Sequence, residues 1–131
     1  MKKILTILVL LIICLAVGSW LIGDYQAVEQ YTAVTAEEAK EMMESSNEEY
    51  IILDVRSEAE YEEKHIPNAV LIPDNEIKQR AEAELLDKDQ LIFVYCRSGN
   101  RSKNAAKILS QMGYSQIVEF GGINDWPYET E

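Results

Sequence analysis

The residue whose surroundings point most clearly to chemistry is Cys96, the first residue of the segment CRSGNRS over residues 96–102. Successive backbone amides of a loop that closes around one centre can bind an anion, and Gly99 allows a backbone conformation that other residues resist. Two guanidinium groups, those of Arg97 and Arg101, add positive charge. Such surroundings favour the thiolate over the thiol, and the thiolate is the nucleophilic form of cysteine. The segment therefore predicts a nucleophilic Cys96 in a cradle that also holds an incoming anion.

Other polar and aromatic residues give weaker chemical signals. His65 precedes Ile66-Pro67 in a connecting segment and is predicted to be a hydrogen-bonding structural histidine rather than a base. Trp126 is predicted to close the core of the domain. Four acidic residues close together in sequence are predicted to form one solvated face: Glu58, Glu60, Glu62 and Glu63.

Composition excludes several classes of protein. The chain has 131 residues with 12 Lys+Arg against 23 Asp+Glu, so nucleic acid, which is bound by neutralising phosphates, is not an expected partner. Cys14 lies in an apolar leader, so no disulfide is expected within the folded part. Only Cys96 and His65 remain there as soft ligands, so no metal site is expected. The length after the leader suits one packed domain, and nothing requires more than a monomer.

The leader is an uncharged run from Ile4 to Ile22 that follows Lys2 and Lys3. Small residues at 16–18 suit a cleaved signal peptide, whereas the length of the run suits an uncleaved membrane anchor. We therefore predict a signal peptide or N-terminal anchor over 1–23 and a linker over 24–31, with membrane contact only through residues 4–22. The basic start stays inside by the positive-inside rule, which predicts an extracytoplasmic domain.

Strand-type and helix-type segments alternate along the rest of the chain. Largely apolar runs predict strands at 50–55, 69–72, 91–95 and 117–118. Capping patterns predict helices that begin after Thr35, after Ser57 and after Asp74 or Asn75, and another helix follows Cys96 up to a left-handed Gly113. This alternation predicts an α/β fold with a mostly parallel sheet and helices on both faces. Cys96 then stands at the carboxyl end of a strand, where such sheets bind ligands.

In its motifs and their order the chain resembles the rhodanese-like single-domain sulfurtransferases. The resemblance covers about residues 32–128 and rests on Leu53-Asp54-Val55-Arg56, on His65-Ile66-Pro67-Asn68-Ala69, on Val94 to Ser102, and on Gly121-Gly122-Ile123 with Trp126. Asn68 stands where the family usually has glycine. Because asparagine tolerates the left-handed conformation better than most residues, we expect little consequence.

The resemblance implies a rhodanese domain over 32–131 with a five-stranded parallel sheet and Cys96 as the sulfur carrier. Cys96 would take a sulfane sulfur from a small anionic donor such as thiosulfate, become a persulfide, and pass the sulfur to cyanide or a thiol. The resemblance implies no cofactor and no metal. It assigns Asp54 and Arg56 to structural support and substrate binding to the loop residues Arg97, Ser98, Gly99, Asn100 and Arg101.

Two other functions stay open at this point. A related phosphatase or arsenate reductase is disfavoured because the loop from Cys96 to Arg101 has six positions, one fewer than those enzymes use. A persulfide carrier or sulfide-relay module with little turnover of its own keeps the same cysteine. In an extracytoplasmic location a reactive thiol is prone to oxidation, so a thiol-reducing partner is a further expectation.

Overall fold

The computed structural model describes residues 30–131 together with Lys3, Ile4 and Ile7. Most of the predicted leader and linker lies outside the described residues. Within the described part, no helix combines the length and apolar character needed to cross a bilayer.

Five parallel strands form one sheet in the order β1-β5-β4-β2-β3. The strands are β1 (Thr32–Ala33), β2 (Tyr50–Asp54), β3 (Val70–Leu71), β4 (Leu91–Cys96) and β5 (Gln116–Gly122). The predicted five-stranded parallel sheet is confirmed. The last strand is longer than the predicted 117–118, because Glu119 and two glycines interrupt the apolar pattern although the backbone continues in the sheet.

Four helices cover the two faces of the sheet: α1 (Ala36–Ser45), α2 (Glu58–Glu63), α3 (Ile77–Glu84) and α4 (Asn100–Gln111). Apolar side chains of α3 and α4 pack on one face, and those of α1 pack on the other. Short 3₁₀ turns occupy Asp74–Glu76 and Ile123–Asp125. Helices on both faces are what the alternating pattern predicts.

Two of the predicted helix starts are confirmed by their hydrogen bonds. Thr35 and Glu38 cap each other's backbone ahead of α1, and Ser57 and Glu60 do the same ahead of α2. The predicted cap at Asp74 or Asn75 is wrong. The chain already turns as a 3₁₀ helix from Asp74, whose amide donates to Val55 O, so α3 begins at Ile77 without a side-chain cap.

The middle strand β4 is buried on both faces and divides the core into two layers. Val94 and Cys96 face α3 and α4, whereas Phe93 and Tyr95 face the layer that contains α1. Trp126 is buried in this second layer, with its ring centroid 5.5 Å from that of Phe120, as expected of a residue that closes the core. Cys96 therefore lies at the carboxyl end of a strand that is covered on both faces.

Candidate active site

Cys96 is the last residue of β4 and is 1 % exposed. A register shift between Val94 and Cys96 breaks the pairing with β5, and Cys96 then pairs with Gly122. The chain turns sharply at Gly99, whose φ of 109° lies in the left-handed region, and α4 begins at the next residue. A strand end, a tight turn and a helix start thus meet around one sulfur atom.

Two loop groups form hydrogen bonds with the cysteine sulfur. The Gly99 amide donates to Cys96 Sγ at 3.0 Å, and the Cys96 thiol donates to the Ser102 hydroxyl oxygen at 3.3 Å. Burial alone would raise the pKa of the Cys96 thiol, but its hydrogen bond with the Ser102 side chain and those from loop backbone amides outweigh burial and lower that pKa. The geometry therefore favours the thiolate, as a nucleophile requires.

The predicted binding residues are all in the loop, with different exposure. Gly99 is buried and Arg101 is half-buried, whereas Arg97, Ser98 and Asn100 are exposed. Outside the loop, the Asn124 amide donates to Arg97 O at 3.2 Å, and Gly122 packs closely against the same carbonyl. The end of β5 and the residues after it therefore contact and support the backbone of the loop.

Arg101 forms a bidentate ion pair with Glu60 of α2. Its Nη1 lies 2.8 Å from Glu60 Oε2 and its Nη2 lies 2.9 Å from Oε1. The prediction that Glu60 belongs to a solvated face is wrong, although Glu58, Glu62 and Glu63 are exposed as expected. Because β2 and β4 are neighbours in the sheet, the first turn of α2 lies beside the Cys96 loop. Part of the positive charge assigned to the cradle is thus neutralised by the protein itself.

This ion pair predicts a pH-dependent contribution to stability. The Arg101 guanidinium holds the pKa of Glu60 well below its ordinary value of 4.5. A lowered folded-state pKa stabilises the protein above the unfolded value, and the stabilisation is lost as the pH falls through the folded value. We expect Glu60→Gln to lower the Tm near pH 7, and the gap from the wild type to close steadily below about pH 4.5.

Thermal unfolding monitored by circular dichroism at a series of pH values measures this gap. Glu63→Gln, an exposed residue of the same helix, is the matched control and should follow the wild type throughout. A gap that stays constant down to pH 3 would show that the Arg101 pair does not stabilise the fold.

Asp54 and Arg56 form a buried ion pair on the opposite face of the sheet from Cys96. Arg56 Nη2 lies 2.7 Å from Asp54 Oδ2 and also donates to Lys64 O, and the Tyr95 hydroxyl donates to Asp54 Oδ2 at 2.6 Å. Burial, followed by the hydrogen bond to Asp54, raises the pKa of Tyr95. This network joins β2, β4 and the segment after α2, which is consistent with structural support.

The connecting segment after α2 also holds His65 and Asn68. His65 Nδ1 lies 2.9 Å from Tyr61 O, and its ring stacks on the Tyr61 ring with centroids 3.8 Å apart. Asn68 has a φ of 66°, the left-handed conformation expected for the position where the family has glycine. His65 therefore has the hydrogen-bonding surroundings of a structural residue.

Two residues near the sulfur were missed as functional candidates on sequence grounds. Ser102 is the last residue of the loop motif, where its type alone predicts no role, and Glu119 lies within β5. Both are buried, and the Ser102 hydroxyl oxygen lies 2.6 Å from Glu119 Oε1. The available signal was the one acidic residue inside the apolar run Ile117-Val118-Glu119-Phe120.

An open cleft of about 450 Å³ lies beside the loop and is bordered by Arg101. Its other lining residues come from the start of α2, from the segment between the end of β3 and the 3₁₀ turn, and from α3: Ser57, Glu58, Leu71, Pro73, Asp74, Asn75, Glu76 and Arg80. Among the described residues, no group of three His, Cys, Asp or Glu side chains is arranged to hold a metal ion. Arg101 is thus the residue through which the cleft touches the Cys96 loop.

Comparison with known proteins finds a matching domain pattern and similar bacterial proteins. The rhodanese-like domain pattern matches residues 35–128. The chain is 38 % identical over 73 residues to the thiosulfate sulfurtransferase PspE of Escherichia coli, across 56 % of this chain and 70 % of that protein. It is 40 % identical over 95 residues to the putative sulfur carrier protein YrkF of Bacillus subtilis, across 72 % of this chain but half the length of YrkF.

Solved structures show the same likeness. A rhodanese with anions from E. coli superimposes with a TM-score of 0.60 at 34 % identity, covering 63 % of this chain and 98 % of that one. The rhodanese-like domain of the Anabaena protein Alr3790, solved in solution, gives a TM-score of 0.68 at 28 % identity and covers 76 % of this chain and 77 % of that one.

Proposed function

Because this chain belongs to the rhodanese-like domain family, we propose that it moves a sulfane sulfur from a small anionic donor such as thiosulfate to cyanide or a thiol through a Cys96 persulfide. Sulfur transfer in general is the activity that its sulfurtransferase and sulfur-carrier relatives support. One observation supports the finer proposal most directly. The buried Cys96 sulfur accepts a loop amide hydrogen bond at the start of α4, where a thiolate and an anionic donor are both stabilised.

In the loading step, the Cys96 thiolate attacks the outer sulfur of thiosulfate. A new S–S bond forms to Cys96 as the S–S bond of thiosulfate breaks, and sulfite leaves with the electron pair. The negative charge then lies on the outer sulfur of the persulfide. Loop amides that bind the thiolate are positioned to bind that charge as well.

In the discharge step, a cyanide ion or a thiolate attacks the outer sulfur, and the Cys96 thiolate is the leaving group. Donor and acceptor thus react in turn with one cysteine, so ping-pong kinetics are expected. No step needs a metal or an organic cofactor. The exposed side chain of Arg97 and the loop amides of Ser98 and Asn100 are the groups that we assign to donor binding, because Glu60 neutralises Arg101 in part.

A non-turnover persulfide carrier or sulfide relay is the second candidate. The likeness to a putative sulfur carrier favours it. In this role the sulfur acceptor is a thiol on a partner that enters the cleft. We also propose that the leader places the domain outside the cytoplasm, where a thiol-reducing partner returns oxidised Cys96 to the thiol.

Intact-mass spectrometry of the full-length protein before and after thiosulfate tests the proposal. We expect the mass to increase by one sulfur atom and to return to the starting value on addition of cyanide. An enzyme then produces thiocyanate over many cycles, whereas a carrier loads fully but turns over slowly. A reduced, folded protein that gains no sulfur from thiosulfate or from a small persulfide would refute both versions.

A further inference from the structure

A buried carboxylate lies behind the cysteine on the α4 face of the sheet. Glu119 pairs in register with Val94, so its side chain points to the layer that contains Cys96 and α4. It is 2 % exposed, and its Oε1 accepts hydrogen bonds from the Ser102 hydroxyl at 2.6 Å and from the Gly121 amide at 2.8 Å. Burying a carboxylate is costly, so its place beside the reactive cysteine calls for an explanation.

Ser102 connects this carboxylate to the sulfur. Its side chain is fully buried, and its hydroxyl carries a single hydrogen. Besides two backbone carbonyls, Glu119 Oε1 accepts that hydrogen at 2.6 Å, whereas the Cys96 thiol, 3.3 Å away, donates to the Ser102 oxygen. Once ionised, the sulfur competes with Glu119 for the same hydrogen. The carboxylate is nearer, and charged acceptors form the stronger hydrogen bonds. The hydroxyl hydrogen therefore points to Glu119, and its oxygen is left to accept the S–H of the thiol.

We propose that Glu119 is a positioning residue that competes with the Cys96 sulfur for the Ser102 hydroxyl hydrogen and so restrains ionisation of the thiol. When Cys96 ionises, its Sγ–H bond breaks and the proton passes to solvent. The Ser102 hydroxyl must then turn away from Glu119 to donate to the thiolate, or leave the thiolate without that donor. The Glu119 charge also opposes a second negative charge nearby.

The Glu119 carboxylate also affects the equilibrium between the Cys96 thiolate and its persulfide. This part of the inference rests on the proposed persulfide chemistry. Loading moves the negative charge from Sγ to the outer sulfur, which is about 2 Å further along an S–S bond. Glu119 therefore opposes the persulfide anion less than it opposes the bare thiolate. A site of this kind favours retention of sulfur, as a carrier requires.

Charged groups on several other elements also influence the ionisation of Cys96. Arg101 interacts electrostatically with Cys96 and is itself paired with Glu60. Other charged groups of the neighbouring elements include Arg97 of the loop, the exposed Lys103 and half-buried Lys107 of α4, Asp74 at the cleft, and the mutually paired Asp54 and Arg56. Because Glu119→Gln alters none of these groups, its effect reports on Glu119 alone.

The test is the pH dependence of alkylation of Cys96 by iodoacetamide in the full-length protein, with mass spectrometry of the Cys96 peptide to exclude Cys14. We expect Glu119→Gln to move the midpoint to lower pH, so that alkylation below the midpoint becomes about three to ten times faster. Glu41→Gln, which removes an exposed carboxylate from α1, should leave the midpoint unchanged. A Glu119→Gln midpoint that is unchanged or raised would overturn the proposal.

Ser102→Ala tests whether Glu119 acts through the hydroxyl. In this background the effect of Glu119→Gln should shrink to less than half, and an undiminished effect would show that charge alone acts. Ser102→Ala also provides a test if Glu119→Gln does not fold. Because Glu119 already holds the hydrogen, removal of the hydroxyl should raise the midpoint only slightly, and a tenfold loss of alkylation rate at neutral pH would contradict the proposal.

Alkylation needs no sulfur donor, so these results are independent of the proposed function. A shifted midpoint in a protein that never loads sulfur would support the role of Glu119 and refute the persulfide chemistry. Normal loading with an unshifted midpoint would do the reverse.

Discussion

Replacing Cys96 by serine is expected to abolish sulfur transfer while leaving the fold intact. Serine fills nearly the same volume, and its hydroxyl can accept the Gly99 amide hydrogen bond that the sulfur accepts at 3.0 Å. A serine hydroxyl is not ionised near neutral pH and cannot form a persulfide, so the sulfur-bearing intermediate is lost. Thiocyanate production from thiosulfate and cyanide should fall below detection, and no sulfur should be gained in the intact mass.

The second cysteine provides the control for this experiment. Cys14→Ser removes the thiol of the leader and should leave both turnover and sulfur gain at the wild-type level. Circular dichroism and the Tm should show that Cys96→Ser is folded. Appreciable residual turnover in Cys96→Ser would remove the central claim of the mechanism, because the described part of the chain contains no other cysteine.

Replacing Gly122 by alanine is expected to disrupt the active-site loop without any change at Cys96. A Cβ atom at Gly122 would lie 2.0 Å from Arg97 O and 2.5 Å from Ser98 N. Both are backbone atoms, so the loop itself must move to relieve the overlap. Since displacement of reacting groups by about 1 Å can cost about a hundredfold in rate, we expect kcat/KM for thiosulfate to fall at least about a hundredfold.

The adjacent glycine separates steric displacement from backbone strain. Gly121 has a φ of 85°, and a Cβ there meets nothing within 4 Å. Gly121→Ala should therefore cost stability, by about 1 kcal/mol, but retain most of the sulfur-transfer activity of the wild type. If Gly122→Ala keeps activity within about threefold of the wild type, the loop tolerates displacement, and the support from β5 is not needed for catalysis.

Local patterns in the sequence were sufficient for the element types and for the nucleophile. Three of these features each depend on residues within a few positions of one another. They are the apolar run of β4, the capping pairs at Thr35 and Ser57, and the glycine turn after Cys96. Residue spacing is enough to predict such short-range features, because the backbone period and the capping geometry are the same in any fold. The position of Cys96 at a strand end followed by a helix start could therefore be predicted.

The electrostatic partners of the site could not be predicted in this way. Glu60 and Arg101 are 41 positions apart, and Ser102 and Glu119 are 17 apart. Residue spacing predicts that Glu60 is solvated and that the last strand ends before Glu119. The order of strands in the sheet brings α2 beside the Cys96 loop and β5 beneath α4, and contacts between distant segments depend on that packing. The chain's local spacing thus specifies a reactive cysteine, whereas the carboxylates that tune its charge follow from which elements become neighbours in the folded sheet.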